Sequence, residues 1–152
     1  MVSFLQNNWF IFLAIAAGMM MPAQAAINNR LSGYVESPIL SAFISLLVGT
    51  VALGIYIVAA GVPVSNLANA RNAPAIAWAG GVFGAFFVAS AVILVPKIGV
   101  ALTFSLIIAG QMLITLLIDH FGWFGADVRP VNLPRAIGAA MITIGVVLIR
   151  KY

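Results

Sequence analysis

This chain of 152 residues has no cysteine, a single histidine and three carboxylates, Glu36, Asp119 and Asp127. Without cysteine there is no disulfide and no thiolate metal site, and cysteine usage says nothing about redox compartment. One histidine alone makes a poor metal site, so neither a metal nor a cofactor is expected. A hydrolase would need a nucleophile, a base and an orienting group within reach; Asp119-His120 offers a base pair with no evident serine partner, and an enzyme is not expected. Charge is the scarcest commodity. Only 7% of residues are charged against 64% hydrophobic, where a soluble domain has roughly a quarter charged. That balance excludes an ordinary soluble domain and implies an all-α integral membrane protein.

The formal net charge is +4. The seven cations are Arg30, Arg71, Lys97, Arg129, Arg135, Arg150 and Lys151, each at or near the end of an apolar run. This placement anchors spans at the membrane-water boundary and forms no basic stripe, so lipid is an expected partner and nucleic acid is not.

Apolar runs of about 16 to 25 residues suit a hydrocarbon core about 30 Å thick at 1.5 Å per residue. Five are present, at about 8–30, 38–62, 74–95, 99–119 and 134–149, and they leave room for one transmembrane domain and no separate globular one. The first could be mistaken for a signal peptide, because Ala23-Gln24-Ala25 resembles a cleavage site; the absence of Lys or Arg before Trp9 and the length of the run favour a span. Pro22 should bend it, Gln24 and Asn28 stack one turn apart, and Asn29-Arg30 mark its exit. Ser37-Pro38 opens the second, with serine as N-cap and proline pre-set for the first helical position. Ser41, Ser45 and Gly49 form a small-residue seam along it for close helix packing.

Pro74 should start the third span, thinned on one side by Gly80, Gly81 and Gly84. Trp78 is either an interfacial anchor or a platform in a cavity. Pro96 to Gly99 allows only a tight turn, making spans three and four antiparallel neighbours. In the fourth span Thr103, Ile107, Gln111, Thr115 and Asp119 share one face, and Gly110 lets a neighbouring backbone approach. Trp123 to Leu133 is an aromatic connector at headgroup level, and Gly138 and Gly145 narrow the short fifth span between Arg135 and Arg150.

Five spans put the termini on opposite sides, and the Lys/Arg count scarcely selects an orientation. Arg71, Arg129 and Arg135 lie on one side; Arg30, Lys97, Arg150 and Lys151 lie on the other. A bias of one residue is expected of a chain that inserts both ways and pairs with an oppositely oriented copy, reproducing the inverted repeat that many carriers hold in one chain.

Pro22-Ala23-Gln24 with Asn28 and Leu31, Ser37-Pro38, Ser45, Gly49-Thr50, Trp78 with Gly80-Gly81 and Gly84, Pro96 and Gly99, and above all Gly110-Gln111 with Ile118-Asp119-His120-Phe121-Gly122, follow one another over nearly the whole chain. This ordered set resembles the YdcZ-type branch of the drug/metabolite transporter superfamily, related to EamA-like permeases. The resemblance implies a five-helix half-transporter of the bacterial inner membrane, an exporter of small molecules. It further implies a ten-helix inverted-repeat carrier completed by a second copy or a sister half-transporter, with a small neutral or cationic metabolite as cargo.

Carriers build their substrate site from polar groups near the midplane, which makes Gln24, Asn28, Ser45, Trp78, Gln111 and Thr115 the candidates for the pathway. Each amide needs a partner, either substrate and water or another helix, in which case it is interhelical glue of about 1 kcal/mol. No carboxylate falls in mid-span, so Asp119 beside His120 is the remaining candidate for proton coupling; its alternative is a partner for Arg129 or Arg135. A passive channel with the same polar lining, or a subunit without transport, are the competing functions.

Overall fold

The computed structural model describes residues 2–151, with side chains from Trp9 onward. These residues are helical throughout apart from short connections, and five helices are long and apolar enough to cross a membrane. They are α1 (Val2–Val35), α2 (Pro38–Ala59), α3 (Ala79–Ile98), α4 (Val100–Phe121) and α5 (Leu133–Lys151). They fall into two compact units, a first that ends at Lys97 and a second that begins at Ile98.

In the first unit α1 runs past Arg30, where the sequence suggested its exit, to Val35. Nothing there breaks a helix, and an arginine's long side chain tolerates a helical position near a membrane boundary. Pro22 lies inside the same uninterrupted helix. Glu36 then takes a left-handed conformation, φ 53°, and Ser37 is extended. These two residues make the whole turn of an αα-hairpin. Ser37 Oγ accepts from the Leu40 N–H at 3.3 Å, with Pro38 behind it. Such a cap stabilises a helix by about 1 kcal/mol.

Helices α1 and α2 meet through small residues: Ala25 and Ser41 are buried, and the Ser41 hydroxyl donates to the Asn28 carbonyl at 2.6 Å. Ala42 packs on Val88 and Val92 of α3, with Leu46, Phe87 and Ala89 around them. Helix α2 stops at Ala59, three residues short of the expected end. The chain turns at Gly61, φ 64°, where glycine's freedom is used. The segment Val64–Asn72 is 3-10 rather than irregular loop. Pro74 opens a further 3-10 turn, Ala75–Trp78, so regular α-helix begins only at Ala79. Helix α3 carries Pro96 within its last turn and ends at Ile98.

The second unit is an antiparallel pair of helices, α4 and α5, joined by an 11-residue connector between Phe121 and Leu133. Gly99 precedes it at φ 80°, ψ 161°, a conformation reserved for glycine, and its carbonyl accepts from both the Thr103 N–H and hydroxyl. Gly122 caps α4 in the left-handed region, its N–H donating to the Ile118 carbonyl. Asn132 caps α5: its side-chain oxygen accepts from the Arg135 N–H at 3.0 Å. Most of the surface of all five spans, rich in Phe, Ile, Leu and Val, is left uncovered within the chain. In a bilayer such faces meet acyl chains or other helices.

Candidate functional site

Within the first unit an open groove of about 410 Å³ lies between α1 and α2. Its walls include Met20, Ile27 and Ile44; its polar groups are Gln24, Asn28 and Ser45. Helical spacing puts Gln24 and Asn28 one turn apart on the face of α1 that meets α2. Gln24 Nε2 donates to Ser45 Oγ at 3.4 Å, a long bond that ties the two helices loosely. Asn28 is 4% exposed, and its Nδ2 is buried without a hydrogen-bond partner. An unpaired buried amide of this kind costs about 1–3 kcal/mol. A ligand or a water would supply the missing acceptor once the Asn28 side chain turns toward the groove that it lines.

Depth fits the same role. Asn28 lies seven residues before the end of α1 and Ser45 seven after the start of α2, about 10 Å from the turn along each axis, with Gln24 about 6 Å deeper. The polar groups thus sit well inside an apolar hairpin. The structure brings three of the pathway candidates together, Gln24, Asn28 and Ser45. Ser41 is buried, and its bond to the Asn28 carbonyl links α2 to the backbone of α1 beside the groove.

The other candidates are distributed differently. Trp78 is exposed at the end of its 3-10 turn. Gln111 and Thr115 lie exposed on α4 in the second unit and make no hydrogen bond there among the described residues. The positions that a Cβ would take at Gly49, Gly80, Gly81, Gly84 and Gly110 meet no neighbouring atom, so the close approach these glycines permit is not made within their own units.

At the far end of α4 the Asp119-His120 pair works as a clasp for the connector. Asp119 Oδ2 forms an ion pair with Arg135 of α5, and its carbonyl accepts from the Arg129 N–H at 2.7 Å. Arg135 also donates to the Arg129 carbonyl at 2.7 Å, and His120 Nδ1 accepts from the Val131 N–H at 3.1 Å. Nδ1 as acceptor makes this imidazole the neutral Nε2–H tautomer. Of the two arginines weighed from sequence as partners for Asp119, the side chain of Arg135 is used and only the backbone of Arg129. His120 also lies edge-on to Phe121, which stacks on Trp123 at 5.5 Å.

The side chains of Asp119 and Arg135 are 24% and 30% exposed, so their attraction is only partly screened. A double-mutant cycle with Asp119→Ala and Arg135→Ala should give a coupling of about 1 kcal/mol in thermal unfolding in detergent. A coupling near zero would mean that the pair does not hold the connector.

Sequence reasoning missed the capping role of Asn132 and the acceptor role of His120. The former was legible: an Asn directly before Leu133-Pro134-Arg135 is a helix-start signal. The latter was not, since it depends on the path of the connector. Among the described residues no group of three or more His, Asp or Glu could hold a metal. A family model described as "Putative inner membrane exporter, YdcZ" matches residues 9–148. No curated protein and no solved structure matches the chain.

Proposed function

The chain belongs to the YdcZ family, whose description is that of an inner-membrane exporter, and from that premise we propose that it is a small-molecule carrier. In this reading two copies, inserted in opposite orientations, build a ten-helix inverted-repeat transporter that works by alternating access. The groove between α1 and α2 is then one half of the substrate site, and its twin comes from the second copy. One observation carries the reading: a buried amide with no partner, beside a second amide and a hydroxyl, lines an open groove deep in an apolar hairpin. The near-even division of Lys and Arg between the two ends of the spans supports the opposed orientations. Gln111 and Thr115, exposed on α4 of the second unit, are proposed as polar contacts for solute on that helix.

The Asp119–Arg135 pair is assigned to holding the connector rather than to proton coupling, because the carboxylate is already engaged. Asp119→Asn should therefore lower thermal stability while leaving the pH dependence of transport unchanged. A flattened pH profile would restore the coupling role.

The test of the carrier is flux in proteoliposomes containing the purified chain alone. Saturating uptake with counterflow is expected. Linear flux without counterflow would indicate a channel, and no flux a subunit that transports nothing by itself.

A further inference from the structure

We propose that the groove between α1 and α2 selects an uncharged amphiphile, a solute with a hydroxyl or carboxamide head and an apolar body, and discriminates against organic cations and anions. The proposal rests on the groove being the substrate site and names the class of molecule that the site takes.

The groove has no charge in its lining. In the first unit the one carboxylate is Glu36, exposed in the hairpin turn and eight residues from Asn28, about 12 Å along the helix axis. A cation entering the groove would give up its water for amide dipoles alone, with no counter-ion in reach. For an anion the nearest cation is Arg30, two residues past Asn28 and about 3 Å farther along the axis, but its exposed side chain is not part of the lining and no Lys or Arg is.

The polar groups present are matched to a neutral head. Gln24 spends one of its two N–H donors on Ser45 and keeps its carbonyl oxygen unbonded, while Asn28 has a whole amide without partners. Gln24, which is exposed, offers a donor and an acceptor that a carboxamide or hydroxyl satisfies at once, and Asn28 lies one turn away with its Nδ2 buried. Met20, Ile27 and Ile44 then cover an alkyl or aryl body. A groove of about 410 Å³ lies inside the range of about 300–1,000 Å³ that small-molecule sites occupy.

The absence of cysteine makes the test direct. Ala23 lines the groove and is exposed, so Ala23→Cys in the full-length chain, purified into lipid nanodiscs, reports on it through the rate of labelling by a water-soluble methanethiosulfonate. Hexanamide, hexylammonium and hexanoate share one carbon skeleton and differ in charge. Hexanamide should slow labelling about tenfold at about ten times its Kd, with little effect from the two ions. Gln24→Leu, a change at an exposed position, should abolish that protection, and Asn28→Asp should shift it toward hexylammonium. Protection by either ion equal to that by hexanamide, or by none of the three, overturns the proposal. Failure of Ala23→Cys to label at all would show a groove that water does not enter, and the transport reading would fall first, taking this inference with it.

Discussion

Replacing Gly122 with alanine should destabilise the second unit by about 2–4 kcal/mol and release the connector from the end of α4. Two separate costs add there. Gly122 holds φ 64°, where an L side chain is strained by about 1–2 kcal/mol. A Cβ would also lie 2.8 Å from Val128 Cγ2 and 3.2 Å from the Ala126 carbonyl oxygen. A valine cannot swing away as a long side chain could, so the connector itself has to shift. The hydrogen bonds from Arg129 to the Asp119 carbonyl and from Val131 to His120 start from that connector. Gly125 is the internal control. It sits at φ 84° with open space where its Cβ would go, so Gly125→Ala should show the backbone strain alone, about 1–2 kcal/mol. Thermal unfolding in detergent, with limited proteolysis of 122–132, separates the two. Equal losses at both positions would mean that the connector is not packed against Gly122 as described.

The second large effect concerns orientation. Arg71→Ala with Arg129→Ala leaves one cation on the first side, Arg135, against four on the other. Arg30→Ala with Lys97→Ala and Arg150→Ala leaves three against one, in the opposite sense. Each set should drive insertion one way, because orientation follows the Lys/Arg bias of short loops. None of these side chains lines the groove, and Arg135, which the clasp needs, is kept. Under the inverted-homodimer proposal each variant alone should lose transport, at least about tenfold, for want of an opposed partner, and the two expressed together should recover it. Full activity of either variant alone would remove the opposed-copy proposal and leave the carrier proposal to stand on other grounds.

The five spans were legible because a bilayer imposes a length and a composition that few other structures need, and the runs from Trp9 to Lys151 meet both. The α1–α2 turn was half legible: Ser37-Pro38 announced the start of α2, but nothing announced that Glu36 would take a positive φ and close the hairpin in two residues. Ends were read less well than middles. Arg30 looked like a boundary because charges collect at boundaries, yet charge does not stop a helix, and α1 ends only where Glu36 takes a positive φ. Pro74 looked like a helix start and instead opens a 3-10 turn, ahead of the weak helix formers Gly80 and Gly81.

Within the site, the i, i+4 spacing of Gln24 and Asn28 was enough to put them on one face. Their opposite number, Ser45, was identified as a pathway candidate without its bond to Gln24, because helix registry across a hairpin depends on the length of a turn that composition does not reveal. That the amide of Asn28 lacks a partner is purely three-dimensional information. The choice of Arg135 over Arg129 by Asp119 is of the same kind, since both lie within a few residues of one another in sequence and differ only in where the connector carries them.

Ser45→Cys, in a chain with no other cysteine, measures most directly whether the α1–α2 groove is a watered solute path. An impermeant methanethiosulfonate applied to intact cells and, separately, to inverted membrane vesicles should modify it from both sides. Val51→Cys, on an exposed apolar stretch of the same helix, should resist from both. A Ser45→Cys thiol as inert as that of Val51→Cys would place the amides of α1 in a dry or lipid-filled cleft and contradict the account.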